Sequence, residues 1–290
     1  MTLYTSNASD FHSQVINCMT NRPSFAMAPD LENSLVTLAS AEDLDQLKAL
    51  LSSSHESPSE ETVQYLLETA AKTSNLDVLN FLLNRYPTVH LNEEIIRGSI
   101  YTRSIPVFKA LLARDPAIIN MRFDMRGTPL VVACQSQQNV EYLRLLLEAG
   151  ADPNMDPDTS TYPLALVASF YADPTAMDVL LRHGALPQGT GALATAAMRG
   201  KEAMVLNLLE HGARPEAEAS SQTGGYCGML SPLHVAVSRG HENVVRILLQ
   251  HGADPNATDE KGLTAMEVAK QMETDGKDVS KVMEVLRQRE

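Results

Sequence analysis

Histidine, cysteine and carboxylate side chains are where chemistry would begin in this chain, and their spacing assembles no site. Eight histidines are present. His183, His211 and His251 each precede a Gly-Ala pair, His234 follows Pro232-Leu233, and His241 follows Gly240. His12, His55 and His90 have no obvious partners. No His-x-x-x-His or His-Glu-x-x-His pair presents two ring nitrogens to one metal ion. Cys18, Cys134 and Cys227 are odd in number and far apart, which fits neither a disulfide framework nor a zinc site. Cys134, beside Ala133, reads as a small core residue. A Gly-x-Ser-x-Gly elbow is lacking. The clusters Gly189-Thr190-Gly191 and Gly224-Gly225 lack the following Lys-Ser or Lys-Thr of a phosphate-binding loop. Asp124 and Asp259, three residues before Gly127 and Gly262, read as turn formers. The expectation is no catalytic residue, no cofactor and no metal.

Composition bounds the partners. The formal net charge is -13, which phosphate backbones repel, so nucleic acid is not an expected ligand. The charge is uneven. Residues 85–126 carry seven basic side chains (Arg85, Arg97, Arg103, Lys109, Arg114, Arg122, Arg126) against four acidic ones, while both flanks are net acidic. This basic island is either chance placement of solvated arginines or a patch for an acidic partner. The N-terminal 30 residues lack the apolar stretch of a secretory signal. No segment approaches the roughly 18 consecutive apolar residues of a membrane span. These features predict a soluble monomer of the cytoplasm or nucleus.

The elements that would position any site repeat. Ser231-Pro232-Leu233-His234-Val235-Ala236 leads through Gly240 and Leu248-Leu249 to His251-Gly252-Ala253-Asp254-Pro255-Asn256, and a new unit opens at Thr264, 33 residues after Ser231. Thr128-Pro129-Leu130 opens a second copy that closes Leu146-Leu147-Glu148-Ala149-Gly150-Ala151-Asp152-Pro153-Asn154. Further copies hold Tyr162-Pro163-Leu164 with Gly184-Ala185, and Ala196-Ala197 with Gly212-Ala213. Each place has a physical job. A hydroxyl caps the first helix and Pro suits its first turn. Small Ala residues allow close helix packing, Leu-Leu lines the buried face of the second helix, and Gly ends that helix in a left-handed conformation.

These motifs resemble the ankyrin-repeat family, strongly over 124–269 and weakly elsewhere. The resemblance implies an all-α solenoid of about eight helix-turn-helix units with short hairpin fingers. Divergent units are expected over 29–123, as pairs near 29–52, 61–87 and 93–120, the last with Asp115 where Gly is usual. A capping unit is expected over 258–290, and a tail, disordered or lying as an arm, over 1–28. End units have one neighbour each and should be the least stable. Gly184 to Gly212 spans only 28 residues, so that unit has lost most of its finger. Gly212 to Gly252 spans 40, and the excess lies in 217–226, either a tolerated insertion or a binding element. Ser57-Pro58 is open to phosphorylation, the alternative being a linker in which Ser59 caps the next helix. In this family the places of His183, His211, His251 and His234 are structural, supporting helix ends and inter-repeat hydrogen bonds, and asparagines at the places of Asn154 and Asn256 can be hydroxylated.

The family's function implies protein binding on the concave finger and first-helix surface. The repeat template points Arg122, Phe123, Met125, Arg126, Gln135, Gln137, Tyr162, Phe170, Tyr171, Met198, Arg199, Tyr226, Met229 and Arg239 outward as the partner-binding set. Aromatic and Arg side chains are the usual anchors of interfaces. The alternative is a small-molecule-binding or catalytic ankyrin protein assisting a fungal-type metabolite pathway. A deep polar cavity in place of an open groove would discriminate the two.

Overall fold

The computed structural model describes residues 29–40, 43–53, 57–124, 126–155, 161–216 and 231–288. The expected tail at 1–28 and the insertion at 217–226 lie outside them. Sixteen α-helices among the described residues follow one another as antiparallel pairs. They are α1 (Pro29–Ser40) with α2 (Leu44–Ser53), α3 (Glu60–Lys72) with α4 (Leu76–Arg85), α5 (Glu93–Tyr101) with α6 (Ile105–Arg114), and α7 (Pro129–Gln135) with α8 (Val140–Glu148). Next come α9 (Pro163–Phe170) with α10 (Thr175–Arg182), α11 (Ala192–Met198) with α12 (Glu202–Glu210), α13 (Pro232–Arg239) with α14 (Glu242–Gln250), and α15 (Ala265–Thr274) with α16 (Ser280–Arg287).

The helices start where the caps say they should. The side chains of Ser59, Asn75, Asn92, Thr128, Asn139 and Ser231 each accept from a backbone N–H three residues on. Ser59 thus has the capping role expected of it. Thr264 and Glu267 cap α15 reciprocally. Pro occupies the first turn of α7, α9 and α13. Second helices α8, α10, α12 and α14 stop at Gly150, Gly184, Gly212 and Gly252, all at positive φ. Asp115 does not copy this geometry. Its φ of -142° is extended, and its carboxylate accepts from Ala117 N to start a 3-10 turn at Pro116–Asn120.

First helices pack against first helices from α1 to α15, forming one layer, with the second helices behind them. Small residues make this layer close. Ala71, Ala133, Ala168, Ala197 and Ala236 are fully buried, and a Cβ on Gly98 would meet the Lys72 side chain at 3.0 Å. The seam between the layers is filled by Leu82, Leu111, Leu146, Leu180, Leu208 and Leu248, all at 0% exposure. Burying one such side chain stabilises by about 1.5–3 kcal/mol. Tyr142 enters the seam beneath the edge of Phe108, ring centroids 5.7 Å apart, and its hydroxyl donates to Ser99 O.

Two fingers close with an antiparallel bridge, Phe123 to Gly127 and Thr258 to Thr264. The connection from α10 to α11 is short, and Gly191 enters α11 at a φ of +73°. No helix among the described residues is long and apolar enough to cross a membrane.

Candidate partner-binding surface

Each first helix has a finger at its start and a tight turn at its end. A helix of seven or eight residues therefore separates two edges of the solenoid by about 10–12 Å.

The finger edge is held rigid from below. Phe123 N donates to Gly127 O at 2.7 Å, closing the finger before α7. Asp124 N donates to Glu93 Oε2 at 2.8 Å, tying that finger to the preceding pair. Glu93 and Glu94 also hold Arg97, whose guanidinium lies over the Tyr101 ring. Arg97 is half-buried and belongs to the framework, so it adds little to an exposed basic patch. Arg85 donates to Leu51 O. The exposed basic side chains of the island are Arg85, Arg103, Lys109, Arg122 and Arg126.

The turn edge carries a continuous ladder of side chains, each reaching back to the preceding pair. Thr102 Oγ1 donates to Ala71 O, Gln138 Nε2 to Ile100 O at 2.8 Å, and Tyr171 OH to Gln138 O at 2.7 Å. Lys201 Nζ donates to Ser169 O and Tyr171 O, and His241 Nε2 to Met198 O at 3.1 Å. A carbonyl only accepts, so Nε2 carries the His241 proton in that contact. These rungs satisfy the open carbonyls at first-helix C-termini. Burial pushes the Tyr171 phenol upward, with Cys134 adding to this and Arg103 opposing it, and holds the Lys201 ammonium below the usual lysine value. Near the other end of the pairs, Asn120 and Asn154 act similarly. Asn154 Nδ2 donates to Gly184 O and its Oδ1 accepts from Leu186 N.

The expected partner-binding residues divide accordingly. Arg122, Arg126, Gln135, Gln137, Phe170, Arg199 and Arg239 are exposed. Tyr162 and Met198 are half-buried. Phe123 does not point outward. It is 4% exposed and joins the core, because the extended run Arg122-Phe123-Asp124 alternates out, in, out. Tyr171 is half-buried and serves as a ladder rung, so it too leaves the exposed set. Met125, Tyr226 and Met229 lie outside the described residues. The histidines behave as their places suggested. His183, His211 and His251 each turn Nδ1 onto the carbonyl four residues back, and His234 spans Ser231 Oγ and Leu263 O. The ladder residues Thr102, Gln138 and Lys201 were missed. Their signal was weak: a polar residue one place either side of the helix-breaking residue.

Surface chemistry elsewhere is sparse. A shallow depression between α14 and α16 is lined by Arg246, Leu249, Gln250, Val285 and Gln288. Among the described residues no group of three or more His, Cys, Asp or Glu could hold a metal ion. Cys134 is buried, which raises its thiol beyond any reactive range.

The ankyrin-repeat family model matches residues 127–157 and 230–260. No curated protein matches the chain significantly. Among solved structures, the human ASB11 ankyrin repeat domain is 22% identical with a TM-score of 0.60, covering 77% of this chain and 97% of that one. The ankyrin repeat domain of Bcl-3, a member of the IkappaB protein family, is 23% identical with a TM-score of 0.59, covering 76% and 97%. Ankyrin repeat domains are in general protein–protein interaction modules. The stacked helix pairs and the capped and glycine-stopped grammar give this chain the fold of ankyrin repeat domains, with the repeat itself matched over residues 127–157 and 230–260.

Proposed function

We propose that this chain is a non-catalytic scaffold that binds a protein partner bearing an acidic segment, with first encounter at the finger of residues 121–127. One observation carries this reading. The finger presents Arg122 and Arg126 to solvent from a backbone pinned by the Phe123–Gly127 bridge, the buried Phe123 ring and the Glu93–Asp124 hydrogen bond. Backbone held in this way at Phe123, Asp124 and Gly127 loses less conformational entropy on binding. Two exposed arginines on a body of net charge -13 would attract acidic chemistry locally while the rest of the surface repels it. Arg199 and Arg239 extend positive charge along the later pairs, and Gln135 adds an exposed polar group between them. The scaffold works as a monomer, in the cytoplasm or the nucleus.

The test is kinetic. Partners captured on the immobilised chain are identified, and association is followed against salt for the wild type and for Arg122→Glu with Arg126→Glu. Association is expected to slow at least tenfold in the double variant and to weaken with salt, since exposed charges are screened within about 8 Å at physiological ionic strength. The fold should be unchanged within about 0.5 kcal/mol. An association rate indifferent to both the reversal and salt would remove the finger from the binding site.

A further inference from the structure

Among the described residues, six turns between first and second helices use the same left-handed residue position. Gly200, Gly240 and Gly276 fill it at φ of +67°, +74° and +79°. Ser74, Arg103 and Gln137 fill it at +59°, +60° and +54°, with a side chain that this conformation penalises. The left-handed residue makes the same helix-stopping hydrogen bond in either case: Arg103 N donates to Ile100 O and Gln137 N to Cys134 O, as Gly200 N does to Ala197 O and Gly240 N to Val237 O. A glycine would therefore do this structural job at lower cost. Strain of this kind persists where a side chain has another task.

Arg103 and Gln137 are both exposed. On the next turn stands Phe170, at 42% exposure one of two exposed large hydrophobic residues among those described. On the turn after that stands Arg199, exposed and reaching Ser169 Oγ beside Phe170. Hydrogen bonds join these turns in series: Tyr171 OH donates to Gln138 O, and Gln138 Nε2 donates to Ile100 O, three residues before Arg103. Carboxylates nearby are engaged locally. Asp173 holds Thr175 N, and Glu202 holds Asn243. Arg103 makes no ion pair with a described residue.

We infer that the turn edge running over Arg103, Gln137, Phe170 and Arg199 is a docking surface for an extended acidic peptide segment with an apolar residue between its carboxylates. This rests on the reading of the chain as a binding scaffold and adds a surface distinct from the finger. First helices pack about 8–10 Å apart, so Arg103 to Arg199 spans about 24–30 Å. An extended segment of about eight or nine residues covers that length at roughly 3.3 Å per residue. Its carboxylates meet the arginines at the two ends. Its apolar side chain packs on Phe170, and its backbone is met by the Gln137 amide.

The left-handed residues make the test clean, because the variants that remove the binding side chains relieve the turns. The probe is a fluorescein-labelled peptide of about twelve residues with Glu and Asp flanking a central Phe, followed by anisotropy at low salt. Controls replace its acids by Lys, or its Phe by Ser. Three proteins are compared with the wild type: Arg103→Gly with Gln137→Gly, Phe170→Ala, and Arg122→Glu with Arg126→Glu. The wild type should bind the acidic Phe peptide at least tenfold tighter than either control. Phe170→Ala and the double glycine variant should each weaken binding about tenfold, while the glycine variant melts at the same or a higher temperature. The finger variant should bind the peptide within about threefold of the wild type. The inference is overturned by a wild type that does not prefer the acidic Phe peptide, by turn-edge variants that bind as well as the wild type, or by glycine substitutions that lower the melting temperature. Loss in the finger variant alone also overturns it, leaving the finger reading standing.

Discussion

Between α3 and α8 the residue that parts a first helix from its second is Ser74, Arg103 or Gln137; between α11 and α14 it is Gly200 or Gly240. The N-terminal second helices differ as well. α4 and α6 run out into Tyr86 and Asp115 at φ of -121° and -142°, followed by Pro87 and Pro116, where α12 and α14 are followed by left-handed Gly212 and Gly252. Yet both regions stack through the same layer of first helices and the same buried leucines. The repeat is thus a backbone geometry that several residue sets satisfy. Glycine satisfies it with the least strain, while the N-terminal pairs use residues that bring side chains and strain with them.

The comparison breaks hardest at Gly200. A Cβ there would stand 2.7 Å from the His241 ring, on top of the cost of a left-handed backbone. At Gly240 an added Cβ meets nothing within 4 Å. Gly200→Ala should therefore lower unfolding free energy by about 2–4 kcal/mol and Gly240→Ala by about 1–2. Urea denaturation measures both, and equal losses would mean that the close approach of His241 has no energetic consequence.

The ladder gives a smaller effect. Gln138 is 1% exposed and its amide donates to Ile100 O, which also accepts from Arg103 N, so Gln138→Ala removes one of two donors together with the packing of a buried side chain and should cost about 1–3 kcal/mol. Thr102→Val should cost less, about 0.5–1.5 kcal/mol, because the Thr102 hydroxyl divides itself among Ala71 O, Gly98 O and Ser99 O. Equal costs at the two sites would show that burial of the rung does not matter. At Ser74, which is exposed, the comparison predicts a gain. Ser74→Gly should raise stability by up to about 1 kcal/mol, the left-handed penalty less the greater freedom of glycine in the unfolded chain.

How much of this was legible in the sequence follows from the same contrast. Wherever residue identity and backbone demand coincide, as at Thr128, Ser231, Gly150 and Gly252, the element and its boundary could be read directly. Asp115 could be marked as a departure, but the 3-10 turn it starts could not, since it depends on one carboxylate reaching Ala117 N. The repeat template points Phe123 outward, and the local pattern overrules it. Arg122-Phe123-Asp124 alternates charged, apolar, charged, the period-two signature of a half-buried extended segment. The exposure of Phe170 followed from its place in the template. The ladder did not, because Thr, Gln, Tyr, Lys and His perform one function through a shared position and no shared chemistry.

The smallest effect expected is one of acid, and it separates the last pair from the central ones. Asp259, Glu267 and Asp278 all lie at the start of α15 or α16, and each carboxyl is held below its ordinary value, chiefly by hydrogen bonds from Leu263 N, Thr264 N and the Ser280 hydroxyl respectively. Among the described residues outside this pair, Asp173 alone shows such a resolved shift, through Thr175. A carboxylate with a depressed folded-state pKa binds fewer protons folded than unfolded. The stability it lends is fully present above the ordinary carboxylate range and is lost as pH falls through that range towards the lowered values. All three groups are exposed, so each contributes little, but they act on a pair that has a neighbour on one side only among the described helices. Amide hydrogen exchange, corrected for intrinsic rates and compared between pH 6 and pH 3, should show protection of α15 and α16 falling more than that of α7 to α10. Replacing Glu267 by Gln should abolish part of that pH difference while leaving the central pairs as they were. Uniform loss along the solenoid on acidification would show that these caps do not set the order in which the repeats open.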